Sequence, residues 1–383
     1  MSLARLLLGF LMLAIFSSST SLHAQKPPTD LTDLDIEEIL SLHINRVDFE
    51  RWHVGYRFLF ASFDGYRDGT TDLDLDEVLG PPPTGRFPVT PTVITQQAHM
   101  VDISYNVSQE LSLALQLPFI RQSSDHESII VKTVNGVEYN FSEFNITSSG
   151  VGDIALSGSY LHRLANDQRV LASVGVNLPT GSIEEKGLTP RDPPNNTLLP
   201  FTMQIGSGTL DLTPTLAYSH RSAALRLTAF TSAVLRMGKN DHDYTLGNRF
   251  ALGGSVSYKA RDWAEPFVRV SYKTIGSIDG VNEDLVVPAP PPCGDGGCPG
   301  PVGVNAAEVS LTGAQIFPAP VTNPALFGGQ EVELRLGSKI KVNKGLQERF
   351  AVDIEYGLPI YQSLNGPQPK ELGRIGLSAT ATF

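Results

Sequence analysis

Residues 111–117 read LSLALQL, so that leucine stands at every second position. The same period of two recurs over 52–60, in WHVGYRFLF, and over 350–358, in FAVDIEYGL. Successive side chains of a β-strand point to opposite faces, so each stretch places an apolar row on one face and a mixed row on the other. We count twelve such stretches between Trp52 and Phe383, several of them nine residues or longer.

An apolar row on a strand faces either a protein core or lipid, and the connections between the strands help to decide. Five connections are short, near 107–110, 163–169, 220–224, 259–263 and 343–349; the six between them are longer, at 64–93, 118–150, 180–206, 238–247, 276–329 and 361–370. Short turns that alternate with long loops are typical of outer-membrane barrels, in which the short turns lie in the periplasm. The sequence therefore predicts an all-β fold, a transmembrane antiparallel up-and-down β-barrel of about 12 strands. A secreted soluble β-sandwich, with the apolar rows turned inward, is the alternative.

Composition fits either β fold and excludes several other classes. The chain has 383 residues, of which 41% are hydrophobic, and a net charge of -11. Mean hydropathy is -0.05, and no run of about 20 apolar residues follows the N-terminus, which argues against a bundle of membrane-spanning helices. The acidic balance predicts no nucleic-acid partner. No cofactor motif is present, and the absence of a nucleophile elbow argues against an enzyme.

The N-terminus reads as an export signal. Arg5 precedes the apolar run 6–16, and the small residue Ala24 suits the position before signal cleavage. We therefore predict a signal peptide over 1–24, a periplasmic segment with a short helix over 25–49, and the barrel over 50–383. A terminal aromatic residue on the last strand, Phe383, is typical of the signal that the barrel assembly machinery recognises. The predicted location is the bacterial outer membrane, with its lipid as a partner.

Three glycine-rich motifs follow one another at the ends of the predicted strands. They are Gly150-Val151-Gly152-Asp153, then Leu178-Pro179-Thr180-Gly181, then Gly206-Ser207-Gly208 with Asp211; Tyr356-Gly357-Leu358-Pro359 lies on the penultimate strand. In order and spacing they resemble the meta-pathway phenol degradation family of outer-membrane proteins, over roughly residues 95–383. The resemblance implies a barrel with a transport role for small aromatic or hydrophobic molecules.

Charges of both signs alternate with the apolar rows, which places them on the inner face of the predicted barrel. The lumen-lining candidates are Asp102, Asp153, Asp211, Arg226, Glu265, Arg269, Lys273, Glu333, Arg335, Asp353, Glu355 and Arg374. Glu333 with Arg335, and Glu265 with Arg269, share one strand face. Such charges either form a salt-bridge network that fills a narrow barrel or line a selective pore, and the mixture of signs argues against strong ion selectivity.

Several local features have two interpretations. Asp153 and Asp211 follow glycine-rich strand starts, where each carboxylate forms either a solute site near the extracellular mouth or a hydrogen-bond acceptor for nearby backbone or arginine. Asn135-Gly136 predicts a hairpin within the second long loop. Cys293 and Cys298, in a proline- and glycine-rich loop, predict a local disulfide. The acidic loop residues Asp72, Asp74, Asp76 and Glu77 lack EF-hand spacing, and we predict no metal site.

The predicted function is passive passage of small hydrophobic or aromatic solutes, inward or outward, through the lumen or laterally through a gap in the wall, with loops gating entry. The alternatives are a plugged structural or interaction barrel without transport, and a soluble β-sandwich that binds a ligand.

Overall fold

A computed structural model of the chain describes residues 51–80, 86–288, 315–341 and 350–382. The predicted signal peptide with its cleavage site at Ala24, the 25–49 segment, the Cys293–Cys298 disulfide and the Phe383 assembly signal all lie outside the described residues. The described part is dominated by β-strands that hydrogen-bond in one antiparallel sheet, and this confirms the predicted all-β barrel class.

Twelve strand elements form the wall of the barrel in the described ranges. They are β1 (Trp52–Gly69), β2 (Val89–Asn106), β3 (Leu111–Ser128), β4 (Glu143–Val151), β5 (Ile154–Arg163), β6 (Gln168–Leu178), β7 (Leu210–Arg221), β8 (Leu225–Met237), β9 (Arg249–Tyr258), β10 (Ala264–Ile275), β11 (Gly329–Lys341) and β12 (Phe350–Thr382). Each pairs antiparallel with its neighbours along the chain, except that β4 and β5 both pair with β3 and so make a single pass. The sheet closes where β12 pairs with β1.

The last element folds back on itself. Residues 351–364 of β12 pair antiparallel with β11, and residues 364–382 pair antiparallel with β1. Nine antiparallel steps separate β1 from β11, so these two strands run in opposite directions, and the two halves of β12 must do so as well. The chain reverses near Gly366, whose φ of 65° is in the left-handed region that glycine adopts freely. Counted once, β12 gives a closed sheet of eleven strands; counted by halves, it gives twelve passes.

The strands extend further than the sequence analysis predicted at the long-loop end. β1 continues to Gly69, β3 to Ser128, and the predicted loop 361–370 is instead part of β12. The prediction of loops there was wrong because Gly366 and its proline neighbours interrupt the period of two, whereas backbone pairing with β1 and β11 continues to Leu364 on both sides. The four described short turns, 107–110, 164–167, 222–224 and 259–263, do lie at the opposite end.

The outer face of the barrel is apolar, as predicted for a membrane wall. Exposed large hydrophobic side chains occur along every pass, with Leu113 at 52% and Val174 at 55% exposure among them. Their neighbours in sequence point inward and are buried, often although polar. Tyr160 and Tyr258 are exposed near the short turns, and Trp52 packs on Tyr105 with ring centroids 4.8 Å apart. Aromatic side chains at this level fit a membrane–water interface.

Short elements decorate the long loops. They are the strand Thr71–Leu73, the helix Leu75–Val78, the two-stranded pairs Val131–Val134 with Val137–Asn140, Lys186–Leu188 with Asn196–Leu198, and Val287–Pro288 with Gln315–Ile316, and the 3-10 turns Phe201–Met203, Glu283–Leu285, Pro320–Thr322 and Pro324–Leu326. The predicted hairpin turn at Asn135-Gly136 is confirmed, with positive φ at both residues. No helix in the described part is long and apolar enough to cross a membrane.

Candidate functional site: the barrel interior

An ionic network covers the inner face of β10, β11 and β12. Glu333 is 1% exposed and touches three cations: it pairs with Lys273, accepts from Arg335 Nε at 2.8 Å, and lies 3.3 Å from Arg374 Nε. Glu355 joins Arg335 to a fourth cation, Arg269, with both N–O distances at 3.0 Å. A cluster in which each buried charge has several opposite partners is stable in a low-dielectric interior. The network thus fixes three adjacent passes to one another.

Further ion pairs extend this network along the same wall. They are Arg374 with Glu371 at 2.7 Å, Lys273 with Glu331 at 3.6 Å and Lys339 with Asp353 at 3.9 Å. The predicted candidates Lys273, Arg269, Glu333, Arg335, Asp353, Glu355 and Arg374 are therefore brought together on the inner face. Their role in lining a solute path stays a prediction.

Three other candidates lie apart from this network. Asp102 accepts from Gln116 at 2.8 Å and pairs with Arg57 at 3.5 Å, both on the inner face of β1 to β3. Arg226 pairs with Glu265 at 3.4 Å. The two same-strand pairs therefore behave differently: Glu333 and Arg335 do pair, whereas Glu265 and Arg269 take partners on other strands, four residues being too far for a pair along one strand.

The glycine-rich motifs converge on one point, which we call the Asp153 junction. Asp153 lies in the break between β4 and β5; its Oδ1 accepts from the Gly181 amide at 2.9 Å, and its Oδ2 accepts from the Ser207 amide at 2.8 Å and hydroxyl at 2.7 Å. Thr180 Oγ1 adds a bond from the Ile154 amide at 2.9 Å. The junction joins the fourth pass to both ends of the loop between β6 and β7.

Close backbone contact explains why glycine occupies the centre of the junction. A Cβ on Gly181 would lie 2.7 Å from Cα of Gly206, and a Cβ on Gly206 would lie 2.3 Å from the carbonyl oxygen of Gly181. The neighbouring Asp211 accepts from Thr209 Oγ1 at 2.7 Å and pairs with Arg236. Asp153 and Asp211 therefore act here as acceptors for backbone, hydroxyl and arginine donors, the second of the two interpretations that the sequence left open.

Beyond the junction, the loop between β6 and β7 enters the barrel mouth. Gln122, on the inner face of β3, donates to the Gln204 carbonyl at 3.1 Å. Leu199 and Met203 are fully buried and pack with Ile146 of β4. The loop thereby crosses the inside of the wall formed by β3 and β4, where it narrows the long-loop end.

The long loops share a hydrophobic core at this end, which we call the loop core. Its buried members come from five separate parts of the chain and are Val89, Leu198, Phe201, Tyr244, Ile278, Leu285, Ala319, Val321 and Phe327. Phe201 is the central ring, 4.7 Å from Tyr244 and 5.5 Å from Phe327, each in an edge-on arrangement. Burial raises the pKa of Tyr244 to about 12. The loops are therefore packed together over the mouth rather than extended into solvent.

A second apolar group lies inside the barrel, on the inner faces of β1 and β2, and we call it the inner apolar cluster. It consists of Leu59, Ala61, Phe63, Ile94, Ala98 and Met100. Most of these side chains are at most 1% exposed, so this level of the barrel is filled. Apolar side chains on an inward face are unusual for a water-filled porin, whose interior is polar. Two further inward rings, Phe230 and Phe267, lie over Gly253 and Gly337 of adjacent strands.

Four arginines on the inner face at the short-turn end were missed by the sequence analysis as a group. We call them the arginine rim: Arg163 of β5, Arg169 of β6, Arg221 of β7 and Arg226 of β8. Each has the parity of a buried inner residue on its own strand, such as Leu161, Leu171, Ser219 and Phe230. Only Arg226 was among the candidates, because the other three stand at strand ends beside turns. Inward parity continued to the last paired residue would have revealed them.

Comparisons with known proteins follow from this geometry. No family model matches the chain, and no curated protein matches it in sequence. A crystal structure of an outer-membrane channel from Pseudomonas putida F1 superposes with a TM-score of 0.53 at 12% identity, and the match covers 93% of this chain and all of that one, at 100%. A Pseudomonas aeruginosa FadL homologue, at 10% identity with 87% of this chain and 90% of that chain covered, gives a TM-score of 0.41. The toluene transporter of P. putida, at 8% identity with 89% and 91% covered, gives 0.38.

The first of these similarities concerns the fold, and the other two scores are too low to carry an argument. A closed antiparallel barrel with an apolar outer face, a charged inner face and short turns at one end defines a bacterial outer-membrane β-barrel, and this chain resembles channels of that class. The short turns accordingly lie in the periplasm and the loop core on the extracellular side. No group of three or more potential metal ligands occurs among the side chains that the structure describes.

Proposed function

We propose that this chain is an outer-membrane channel for the passive passage of small hydrophobic or aromatic solutes. The inner apolar cluster is the observation that carries the proposal. Leu59, Phe63 and Met100 point into the barrel although lipid on the outside would accept them at no cost. An apolar inner wall lowers the free energy of an apolar solute inside the barrel, whereas it excludes hydrated ions and sugars.

The loop core supports the same proposal at the extracellular end. A solute that enters from outside meets Phe201, Tyr244 and Phe327 before it reaches the interior. Aromatic rings stack on aromatic solutes at a gain of about 0.5–1.5 kcal/mol for each pair beyond the area buried. Since the rings and the inner cluster are fully packed, passage requires these side chains and loops to move, and the loops therefore act as a gate.

The Asp153 junction gives the proposed gate a fixed end. The motifs that resemble the meta-pathway phenol degradation family are the ones that meet at this junction, and the resemblance favours phenol-type compounds as the solutes. Beside the junction, β4 takes its barrel partner from β3 only. This edge of β4 is where a lateral exit to the membrane would open, as an alternative to passage along the lumen.

A second candidate function, a plugged structural barrel without transport, is favoured by the buried ionic network on β10 to β12. Glu331 and Glu333 are at most 1% exposed, so this half of the interior is closed to solutes. The two candidates differ in whether the opposite half, around the inner apolar cluster, opens.

Uptake of radiolabelled phenol into Gram-negative host cells separates them, because the lipopolysaccharide leaflet of such cells slows apolar solutes. Cells that express the channel should take up phenol severalfold faster than cells without it. Met100→Gln keeps the side-chain length but places an amide in the inner cluster, and should reduce the gain; Met237→Gln, at a position 56% exposed on the opposite side of the wall, should not. Equal uptake with and without the protein would leave the plugged barrel as the function.

A further inference from the structure

Like charges face each other in the arginine rim. Arg163 of β5 is directly opposite Arg169 of β6, and Arg221 of β7 is directly opposite Arg226 of β8. Like charges at opposite positions of an antiparallel pair destabilise the sheet. Arg169 also repels Arg221, so the two pairs form a single cluster across four adjacent strands. A fold retains such a cluster at a cost, and the cost is repaid when an anion binds.

The acidic neighbours do not neutralise the rim. Glu265 pairs with Arg226 at 3.4 Å, and Asp167, in the turn between β5 and β6, attracts Arg169. Four guanidinium groups outnumber these two carboxylates. This differs from the wall of β10 to β12, where Glu333 and Glu355 each have several cationic partners. The charges of the interior are therefore segregated, which changes the expectation from the sequence that the mixture of signs excludes ion selectivity.

The rim lies on the path that a solute would take. Its side chains share the inner face with Leu161, Ser219 and Phe230 rather than the lipid face. Snorkelling to lipid head groups therefore does not explain them. Guanidinium groups bind carboxylates through paired N–H donors, with stronger and more directional bonds than a lysine makes.

An aromatic surface adjoins the rim. Phe267 lies two residues from Glu265 on the inner face of β10, and its ring is 4.8 Å from the Arg269 guanidinium. A ligand with an anionic head and a flat ring would place the head on the arginines and the ring near Phe267. Aromatic carboxylates, with benzoate as the simplest case, have this chemistry.

We propose that the arginine rim is a binding site for the carboxylate of aromatic acids at the periplasmic end of the barrel. The inference rests on the proposed channel function and narrows its substrate class to include anions. The rim would hold the acid by its carboxylate after the apolar part of the path has admitted the ring.

Reversal potentials of the full-length protein in planar lipid bilayers test the proposal. Under gradients of potassium benzoate and potassium acetate, the wild type should favour the anion, and benzoate more than acetate. The double variant Arg169→Gln/Arg221→Gln should lower the benzoate-to-potassium permeability ratio about threefold or more. Removing two repelling charges does not threaten folding, and heat-modifiable gel migration verifies that the variant is folded.

The matched control is Lys259→Gln/Arg261→Gln. It removes the same charge from the neighbouring periplasmic turn between β9 and β10, outside the rim, and should leave the ratio unchanged. An unchanged ratio in the rim variant, or an equal loss in the control, overturns the proposal, and equal permeability of acetate and benzoate overturns its aromatic part. Phenol uptake in cells is measured separately, so that a channel that passes phenol without this anion preference refutes the rim site alone.

Discussion

Asp153 accepts two hydrogen bonds from Ser207, one from the amide at 2.8 Å and one from the hydroxyl at 2.7 Å, across 54 residues of chain. This contact fixes the return of the loop between β6 and β7 to the break in the fourth pass. The same loop carries Phe201 into the loop core and Gln204 against β3. The position of the gate therefore depends on one carboxylate.

Asp153→Ala should loosen the loop and leave the barrel closed. The change leaves the buried amides of Gly181 and Ser207 without their acceptor, at a cost of about 1–3 kcal/mol. We expect a lower unfolding temperature and larger, noisier single-channel currents. Asp125→Ala is the control, because Asp125 makes a similar bond to Asn145 at 2.7 Å on an exposed part of β3 and β4. Currents as quiet as those of the wild type would show that the junction does not hold the gate.

The barrel itself could be predicted from the sequence because its signal is local. A period of two, as in LSLALQL, states directly which side chains share a face, and the even alternation of short and long connections states which end they join. The candidates Glu333, Arg335 and Arg374 followed from parity alone. Their particular partners did not, because Glu265 and Arg269 lie on one face of one strand but pair across strands.

The interior could not be predicted because its contacts are between loops distant in sequence. Phe201, Tyr244 and Phe327 belong to three loops without a common period, and their packing is fixed only by closure of the barrel. The apolar residues Leu59 and Met100 break the rule of polar inward faces, and parity without the closed sheet gives no reason to treat them as a cluster. Glycine-rich motifs carried the junction, although only the structure shows that they meet.

Glu333→Gln tests how far the ionic network stabilises the wall. The amide keeps the shape of the carboxylate but leaves Lys273, Arg335 and Arg374 around a neutral group. Removing one partner of a buried ion pair costs about 3–5 kcal/mol, because the remaining charges stay desolvated. Heat-modifiable migration should therefore change at a clearly lower temperature. Glu138→Gln, an exposed position in the hairpin of the second long loop, is the control and should behave as the wild type; an equal transition for Glu333→Gln would mean that its three pairs contribute little.

Gly253→Ala tests the packing of rings against the inner wall. A Cβ at this position would lie 2.6 Å from Cζ of Phe230 and 2.8 Å from the Val270 carbonyl oxygen, so the ring has to move into the interior. Overpacking of this kind costs about 1–3 kcal/mol, and the displaced ring should also narrow the lumen and lower the current. Gly158→Ala is the matched control, since its nearest neighbour, Cδ2 of Leu113, would be at an ordinary 3.7 Å. Equal stability of the two variants would contradict the close approach.

Alkaline pH should open the loop core through Tyr244. This side chain is 1% exposed and packs edge-on against Phe201 at 4.7 Å, and burial raises its pKa from 10.0 to about 12. Because the folded state holds the phenol proton more tightly than the unfolded state, the stabilisation is complete below pH 10 and is lost as the pH rises from 10 towards 12, by about 3 kcal/mol at most. Limited proteolysis of the extracellular loops should accelerate over this interval in the wild type.

Tyr244→Phe removes the titrating group and keeps the ring, so the loops of this variant should stay resistant to higher pH. The difference between the tyrosinate absorbance curves of the two proteins isolates Tyr244, and its midpoint should lie near pH 12. Tyr139→Phe, in the exposed hairpin of the second long loop, should leave the proteolysis profile as it is in the wild type. If the midpoint for Tyr244 lies near pH 10, the ring is accessible to water and the loops are not packed into a core over the mouth.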